Sequence, residues 1–301
     1  NDNTIAVFNE DLDSDFKNDL RIYKCQVQLF NDFVKVYEFN SRYNGLDLIS
    51  KICRSLNIVE KQYFGLMYFS KSNRNKRWLK IEHNVVKKFK GINNLYFKFM
   101  FQYYPPNFEI ISDCMTLYYL VEQLRINILQ YKTICSYHLK MELFAKLCQA
   151  QFSDYHENQF RIENFIHPEL IKTTKRRNQF IKYYKSLKSM TCLEADKEFL
   201  MGALTLRDYG MEFYDSNTLK YVCISPKGLY RYKADVSYKI CNWKNFINCS
   251  KSINNLKIKF LNEFGEILTK TFKSHNKTFL MDLIKNNSYV YRLLEEIGTS
   301  Y

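Results

Sequence analysis

The sequence predicts an α+β protein of several lobes, and three observations predict it. Apolar residues alternate with period two in the first third of the chain. They recur at helical spacing in the middle third, and short strands set off by turn residues return in the last third.

The first lobe opens on a hairpin. Cys25, Val27 and Leu29 alternate with Lys24, Gln26 and Gln28 over residues 23–30, Asn31 and Asp32 supply turn chemistry, and a second extended run covers residues 34–39. Leu46, Ile49, Cys53 and Leu56 then fall at helical spacing. Residues 63–69 read as a strand, and Leu95, Phe97, Phe99, Phe101 and Tyr103 keep a strict period of two. Hairpin, helix, strand and strand is a ubiquitin-like β-grasp order. Pro105 and Pro106 remove two backbone donors in succession and predict a boundary.

Helices follow. One is expected over residues 113–130 and another over residues 136–152, where Leu139, Leu143, Leu147 and Ala150 form a stripe. A third is expected to start at Pro168, since the first helical position does not need the N–H that proline lacks. Thr191 and Glu194 read as a capping box opening a fourth helix through Phe199, Leu200 and Ala203. After Gly210 strands are expected at residues 221–224, 229–232, 242–247, 256–261 and 267–272, separated by turns such as Ser225-Pro226-Lys227-Gly228 and Asn262-Glu263-Phe264-Gly265. A last helix begins near Ser274 and carries Phe279, Leu280, Leu283 and Ile284. A β-sandwich closed by one C-terminal helix is a pleckstrin-homology-like pattern.

Composition bounds the function. With 46% hydrophobic and 25% charged residues, the 301-residue chain falls outside the disordered and fibrous classes. No run approaches the roughly 18 apolar residues of a spanning helix. Nine cysteines, an odd number with no C-x-x-C pair, read as reduced thiols in a cytosolic chain. The first twenty residues form an acidic extension, six acidic side chains against one lysine, and a start at Asn1 reads as the internal start of a larger protein. Residues 21–104 carry 16 basic against 5 acidic side chains, residues 105–205 carry 13 against 11, and residues 206–301 carry 15 against 9. An anionic partner is therefore expected to meet the two outer segments.

Several local strings carry a resemblance. They are Tyr63-Phe64-Gly65-Leu66 with Trp78-Leu79-Lys80, then Tyr119 through Gln123-Leu124-Arg125 to Ile128-Leu129, and Gln149-Ala150-Gln151-Phe152-Ser153-Asp154-Tyr155. Asp208-Tyr209-Gly210, Cys223-Ile224-Ser225 with Gly228-Leu229, and Asn242-Trp243 complete the set. In this order and spacing they resemble the FERM module of the band 4.1 superfamily from Ile22 to Leu294. Ser153 stands where the family has glycine, and Asn286-Asn287 replace a histidine pair. Residues 68–90, with Asn75-Lys76-Arg77-Trp78 and Lys87-Lys88, are most similar to the FERM modules of cytosolic tyrosine phosphatases.

The resemblance implies an acidic extension (1–20), a ubiquitin-like lobe (21–104), a four-helix lobe like acyl-CoA-binding protein (105–206) and a PH/PTB-like β-sandwich with a C-terminal helix (207–301). It also implies two binding surfaces. An acidic phosphoinositide would meet Lys76, Arg77, Lys80 and Lys277, within a wider cluster of Lys71, Arg74, Lys87, Lys88 and Lys90 opposed locally by Glu82; His83 stands where some relatives have another lysine. A cytoplasmic tail of a membrane protein would add as a strand along Phe246, Ile247, Asn248 and Cys249, against Phe279, Leu280 and Leu283.

The chemistry of catalysis is missing from the sequence. A tyrosine phosphatase needs a cysteine with an arginine six positions on, and none of the nine cysteines has one. No phosphate-binding glycine loop, nucleophile elbow or H-E-x-x-H occurs, and the five histidines lack ligand spacing, so neither metal nor cofactor is expected. The 24 tyrosines and 24 phenylalanines fit packed β-faces rather than nucleic-acid stacking. The expectation is a non-catalytic adaptor, cytoplasmic and peripheral at the plasma membrane, the cytoskeleton or cell junctions, with cytoskeletal proteins among its partners. The alternative is the targeting region of a tyrosine phosphatase whose catalytic domain lies beyond Tyr301.

Overall fold

Alternation in the first third builds a sheet. The computed structural model describes residues 21–30, 32–70, 76–130, 135–157, 165–215, 221–233, 236–253, 255–274 and 276–299. The acidic extension, Lys71, Arg74, Asn75 and His275 lie outside them. The chain divides into two compact units, the first made of residues up to Gln102 with Ser112–Gln123, the second of Tyr103–Ile111 with Leu124–Tyr301.

In the first unit β1 (Ile22–Gln28) and β2 (Val34–Asn40) form the expected hairpin, followed by α1 (Gly45–Ser55), β3 (Phe64–Phe69), β4 (Lys76–Trp78), α2 (Val85–Lys88) and β5 (Leu95–Phe101). The sheet order is β2-β1-β5-β3-β4, with β1 and β5 parallel at its centre. Phe97, Phe99 and Phe101 point inward and are buried with Leu48, Ile49 and Ile52 of α1. Asn44 opens α1 through a reciprocal capping box with Asp47. Sequence periodicity missed β4 and α2, which are too short to display a period.

Gly65 explains one of the family strings. A Cβ there would come within 2.9 Å of the Trp78 ring and within 2.2 Å of the Gln102 side chain, so β3 leaves room at that point for the buried tryptophan.

Among the described residues the long helices that follow are α3 (Cys114–Leu129), α4 (Tyr137–Phe152), α5 (Thr174–Ser186) and α6 (Cys192–Leu204). Pro168 opens a 3₁₀ turn, Pro168–Leu170, rather than a helix, and α5 starts after its own cap, Thr173, whose hydroxyl accepts from the Arg176 N–H. The Thr191–Glu194 capping box of α6 is present. In α4 burial extends beyond the expected stripe to Met141, Phe144, Ala145, Cys148 and Gln149, because α5 and α6 both pack on it.

Four antiparallel strands follow in order β6 (Glu212–Asp215), β7 (Tyr221–Ser225), β8 (Gly228–Lys233) and β9 (Val236–Cys241). A second sheet holds β10 (Phe246–Lys251), β11 (Asn255–Leu261) and β12 (Ile267–Lys273), and α7 (Lys277–Thr299) closes the lobe. The strand expected over residues 242–247 is displaced. Residues 242–245 form a turn, with the Phe246 N–H donating to the Trp243 carbonyl, because the buried indole of Trp243 turns inward to donate to the Ser225 carbonyl at 2.8 Å. Of the expected strand only Phe246 and Ile247 fall in a strand, the start of β10, and the preceding β9 as well as β6 were not expected.

Candidate functional site

The basic candidates of the first unit lie on and after β4. Pairing places Phe69 opposite Lys76, Tyr68 opposite Arg77 and Met67 opposite Trp78. Side chains alternate along a strand, so Lys76 and Trp78 share one face while Arg77 projects from the other. The Lys76 ammonium stands 5.1 Å from the centre of the Trp78 ring. Tyr68, beside Arg77, packs edge-on against Phe89 and Phe97; burial raises its hydroxyl, and the Arg77 guanidinium partly offsets that rise. Arg77 therefore serves the inner face of the sheet, and Lys76 alone of the two shares a face with Trp78.

Lys80 follows in the turn after β4, where its carbonyl accepts from the His83 N–H at 3.1 Å, and Gly45 lies against it so closely that a Cβ would meet that carbonyl at 2.5 Å. Lys87, Lys88 and Lys90 are exposed on and just after α2. Lys277 belongs to the second unit, in the first turn of α7, and donates to the Ile253 carbonyl.

The groove candidates belong wholly to the second unit. Strand β10 pairs with β11 on one side and, among the described residues, has no strand on its other side, where α7 packs. Phe246, Cys249, Leu280 and Leu283 are buried and make the floor between strand and helix, while Ile247 is 44% exposed and Asn248 is exposed. A register shift between Phe246 and Asn248 leaves Ile247 as the bulged residue. Phe279 lies elsewhere, its ring edge-on to Tyr214 of β6 at 5.8 Å.

Both ends of the β10 edge are tied. Arg292 of α7 donates to the carbonyls of Trp243 and Phe246, and the Lys251 ammonium donates to the Thr278 hydroxyl at 3.1 Å. Between them the Asn248 side chain accepts from the Cys249 N–H at 2.7 Å, so it occupies a donor an added strand would use.

The family strings act as supports. Ser225 accepts from Trp243, Tyr291 stacks on Trp243 at 5.8 Å, and Gly228 adopts φ +133° where a Cβ would meet the Cys241 carbonyl at 2.2 Å. Tyr209 donates to the Pro105 carbonyl at 2.9 Å, and Gly210, at φ +60°, lies against the Tyr104 ring. The buried Gln149 amide donates to Asp154 and to the Met190 carbonyl.

A reactive thiol is lacking among the groups that define the cores. All nine cysteines are free, and burial pushes the thiols of Cys25, Cys53, Cys223 and Cys249 up to about 12 and that of Cys241 up to about 11. Among the described residues no group of three or more metal-ligating side chains comes together, and no helix is long and apolar enough to cross a membrane.

One charged surface was missed by summing charge over a lobe. Residues 172–188 hold seven basic side chains and no acidic one. Lys175, Lys182 and Lys185 recur on the exposed face of α5, while Arg176 is occupied by the Tyr137 ring at 4.8 Å and by Glu169. A sliding charge window would have found it.

The comparisons with known proteins follow this architecture. The FERM N-terminal domain matches residues 27–91 and the FERM central domain residues 107–214, together more than half the chain. In structure the chain is similar to the FERM and C-terminal domain complex of Drosophila Merlin, with a TM-score of 0.75 at 19% identity, over 92% of this chain and 99% of that one. It is also similar to the MyTH4-FERM MF2 domain of Dictyostelium discoideum myosin VII, with a TM-score of 0.68 at 13% identity, over 89% of this chain and 59% of that one. Fold and strings together define a FERM module.

The chain belongs to the FERM family, and among sequences it is similar to band 4.1 proteins. It is 28% identical to protein 4.1 of Canis lupus familiaris over 243 residues and 29% identical to human band 4.1-like protein 3 over 242 residues, 78% of this chain in each case. The chain spans only 30% and 22% of the length of those two relatives.

Proposed function

We propose that this chain is a non-catalytic adaptor module that holds the cytoplasmic tail of a membrane protein and links it to cytoskeletal or signalling partners. The observation that carries this reading is the β10 edge. Among the described residues it has no strand on its outer side, and it presents an apolar floor of Cys249, Leu280 and Leu283, with the exposed Ile247 as the first side chain an incoming strand would meet once it displaces the Asn248 side chain from the Cys249 N–H. The relatives named support the adaptor over the targeting region of a phosphatase, since they are protein 4.1 and a band 4.1-like protein. The C-terminal MyTH4-FERM domain of human myosin 7b is seen in complex with the harmonin-a PDZ3 domain, which supports a role in protein assembly.

The module docks on the inner face of the plasma membrane through acidic phosphoinositides. In the first unit Lys76 and Lys80 are the contacts this reading relies on, with Lys87, Lys88 and Lys90 adding field; in the second unit it relies on Lys277. This reading gives Arg77, which shares a face with Tyr68, a supporting role rather than a lipid contact.

The test is binding of immobilised cytoplasmic-tail peptides from adhesion and transport proteins. Ile247→Glu, at an exposed position, is expected to abolish capture and leave the unfolding midpoint unchanged. Capture that survives Ile247→Glu, or no capture by any tail, rejects the groove. Lys76→Glu with Lys80→Glu is expected to lower sedimentation with phosphoinositide vesicles at physiological salt, and unchanged sedimentation rejects the first-unit contact.

A further inference from the structure

The sheet β10-β11-β12 ends in two hairpin tips, and each presents a bare apolar side chain. At one tip Phe264 is 86% exposed, and at the other Ile253 is 88% exposed. A single exposed apolar side chain is ordinary by itself, so what distinguishes one tip from the other is its surroundings. Charge separates the two tips. Phe264 is flanked by Glu263 and Glu266, whereas the sequence has no acidic residue from 236 to 262 or from 267 to 281.

Around Ile253 the cations converge from three elements. The Lys277 ammonium, in the first turn of α7, donates to the Ile253 carbonyl, and Lys251 at the end of β10 donates to the Thr278 hydroxyl. Lys273 stands on β12 at the register position reached through Asn255 of β11. At the base of this hairpin the Ser252 N–H donates to the Asn255 carbonyl at 2.8 Å. It lies against the start of the 23-residue helix α7, whose positive dipole end adds to the lysines.

We propose that this tip is a membrane wedge: Ile253 enters the acyl border of an anionic bilayer while Lys251, Lys273 and Lys277 meet lipid phosphates around it. An aliphatic residue inside a ring of lysines matches a surface that is anionic outside and apolar beneath. Lysine, a flexible point charge, suits headgroups that diffuse laterally better than it suits one fixed carboxylate. The inference rests on the lipid-docking reading and adds an apolar, salt-insensitive contact to it.

The experiment uses the chain with phosphatidylcholine vesicles that carry phosphatidylinositol bisphosphate, and with pure phosphatidylcholine vesicles as control. Ile253→Asp is expected to weaken sedimentation roughly tenfold, the size of one aliphatic side chain returned to water, with an unchanged unfolding midpoint. Ile253→Trp is expected to shift its emission to the blue on anionic vesicles and to be quenched by lipids with brominated acyl chains. Trp78 and Trp243 are buried and give a constant background. If the parent chain sediments but Ile253→Asp sediments equally, or the new indole keeps the emission of a water-exposed group, the wedge is overturned and the lysine contacts stand. If the parent chain does not sediment with anionic vesicles, the lipid-docking reading fails and the wedge fails with it.

Discussion

The cationic strip of the first unit and the β10 edge of the second were both drawn from short runs of sequence, and folding treats them in opposite ways. On β4, neighbours in sequence are separated: Lys76 goes to the face of Trp78 and Arg77 to the face of Tyr68. At β10, residues remote in sequence are gathered: Arg292 reaches the carbonyls of Trp243 and Phe246, and Lys277 reaches that of Ile253. A run of charges along a strand thus yields half a site on each face. An edge strand beside a helix assembles one from distant segments.

The largest expected effect tests how far the second region depends on its support. Gly228→Ala places a methyl group 2.2 Å from the Cys241 carbonyl at φ +133°, and neither backbone can yield without breaking the β8–β9 pairing. A loss of about 3 kcal/mol or more in denaturant unfolding is expected, with tail-peptide capture lost in parallel. A stable variant that still captures peptide would show that the edge does not depend on the β8–β9 pairing.

The first region is tested by a pair of substitutions on adjacent residues. Arg77→Ala is expected to cost about 1 kcal/mol through lost packing of its stem and to leave vesicle sedimentation nearly unchanged. Lys76→Ala is expected to change stability by less than about 0.5 kcal/mol and to lower sedimentation. Equal effects of both on sedimentation would mean that the face assignment does not matter to binding.

What the sequence made legible follows from how local each cause is. The Thr191–Glu194 box, the hairpin of β1 and β2 and the period of β5 depend on neighbours a few residues away, and they appear where expected. The strand over residues 242–247 failed because Trp243 is drawn inward by Ser225, eighteen positions back, which no periodicity can reveal. The packing of β10 beside the last helix was legible but not its contacts, since Phe246, Cys249, Leu280 and Leu283 are buried between them and Phe279 faces Tyr214. Ser153 was legible as a departure from the family's glycine, and its φ of +62° with ψ of −151° shows the reason glycine suits the end of α4. Ser153→Gly is expected to raise stability by about 1 kcal/mol, read from the unfolding midpoint. No gain would mean that the hydroxyl or its surroundings already relieve the strain.

The smallest expected effect sets the two units apart by pH. In the first, burial raises the carboxyl of Asp113, but the Thr116 hydroxyl and the N–H groups of Val59, Thr116 and Met115 outweigh it and hold the group below the usual range. A lowered carboxyl contributes stability above its unfolded value, and that contribution is lost as pH falls through the folded value. In the second, burial raises the Glu295 carboxyl, with Lys244 and Arg292 offsetting part of the rise. There the folded state holds its proton more tightly, so the contribution is present in acid and is lost as pH rises through the folded value. Acidification should therefore loosen the first unit while relieving the second. Hydrogen exchange followed segment by segment through the acid range is expected to show protection of β3 and the start of α3 falling before that of β10 and α7. Asp113→Asn should flatten the first trend, by less than about 1 kcal/mol given solvent screening, and Glu295→Gln the second. Parallel loss of protection in both units would show that these two carboxyls do not govern their acid response.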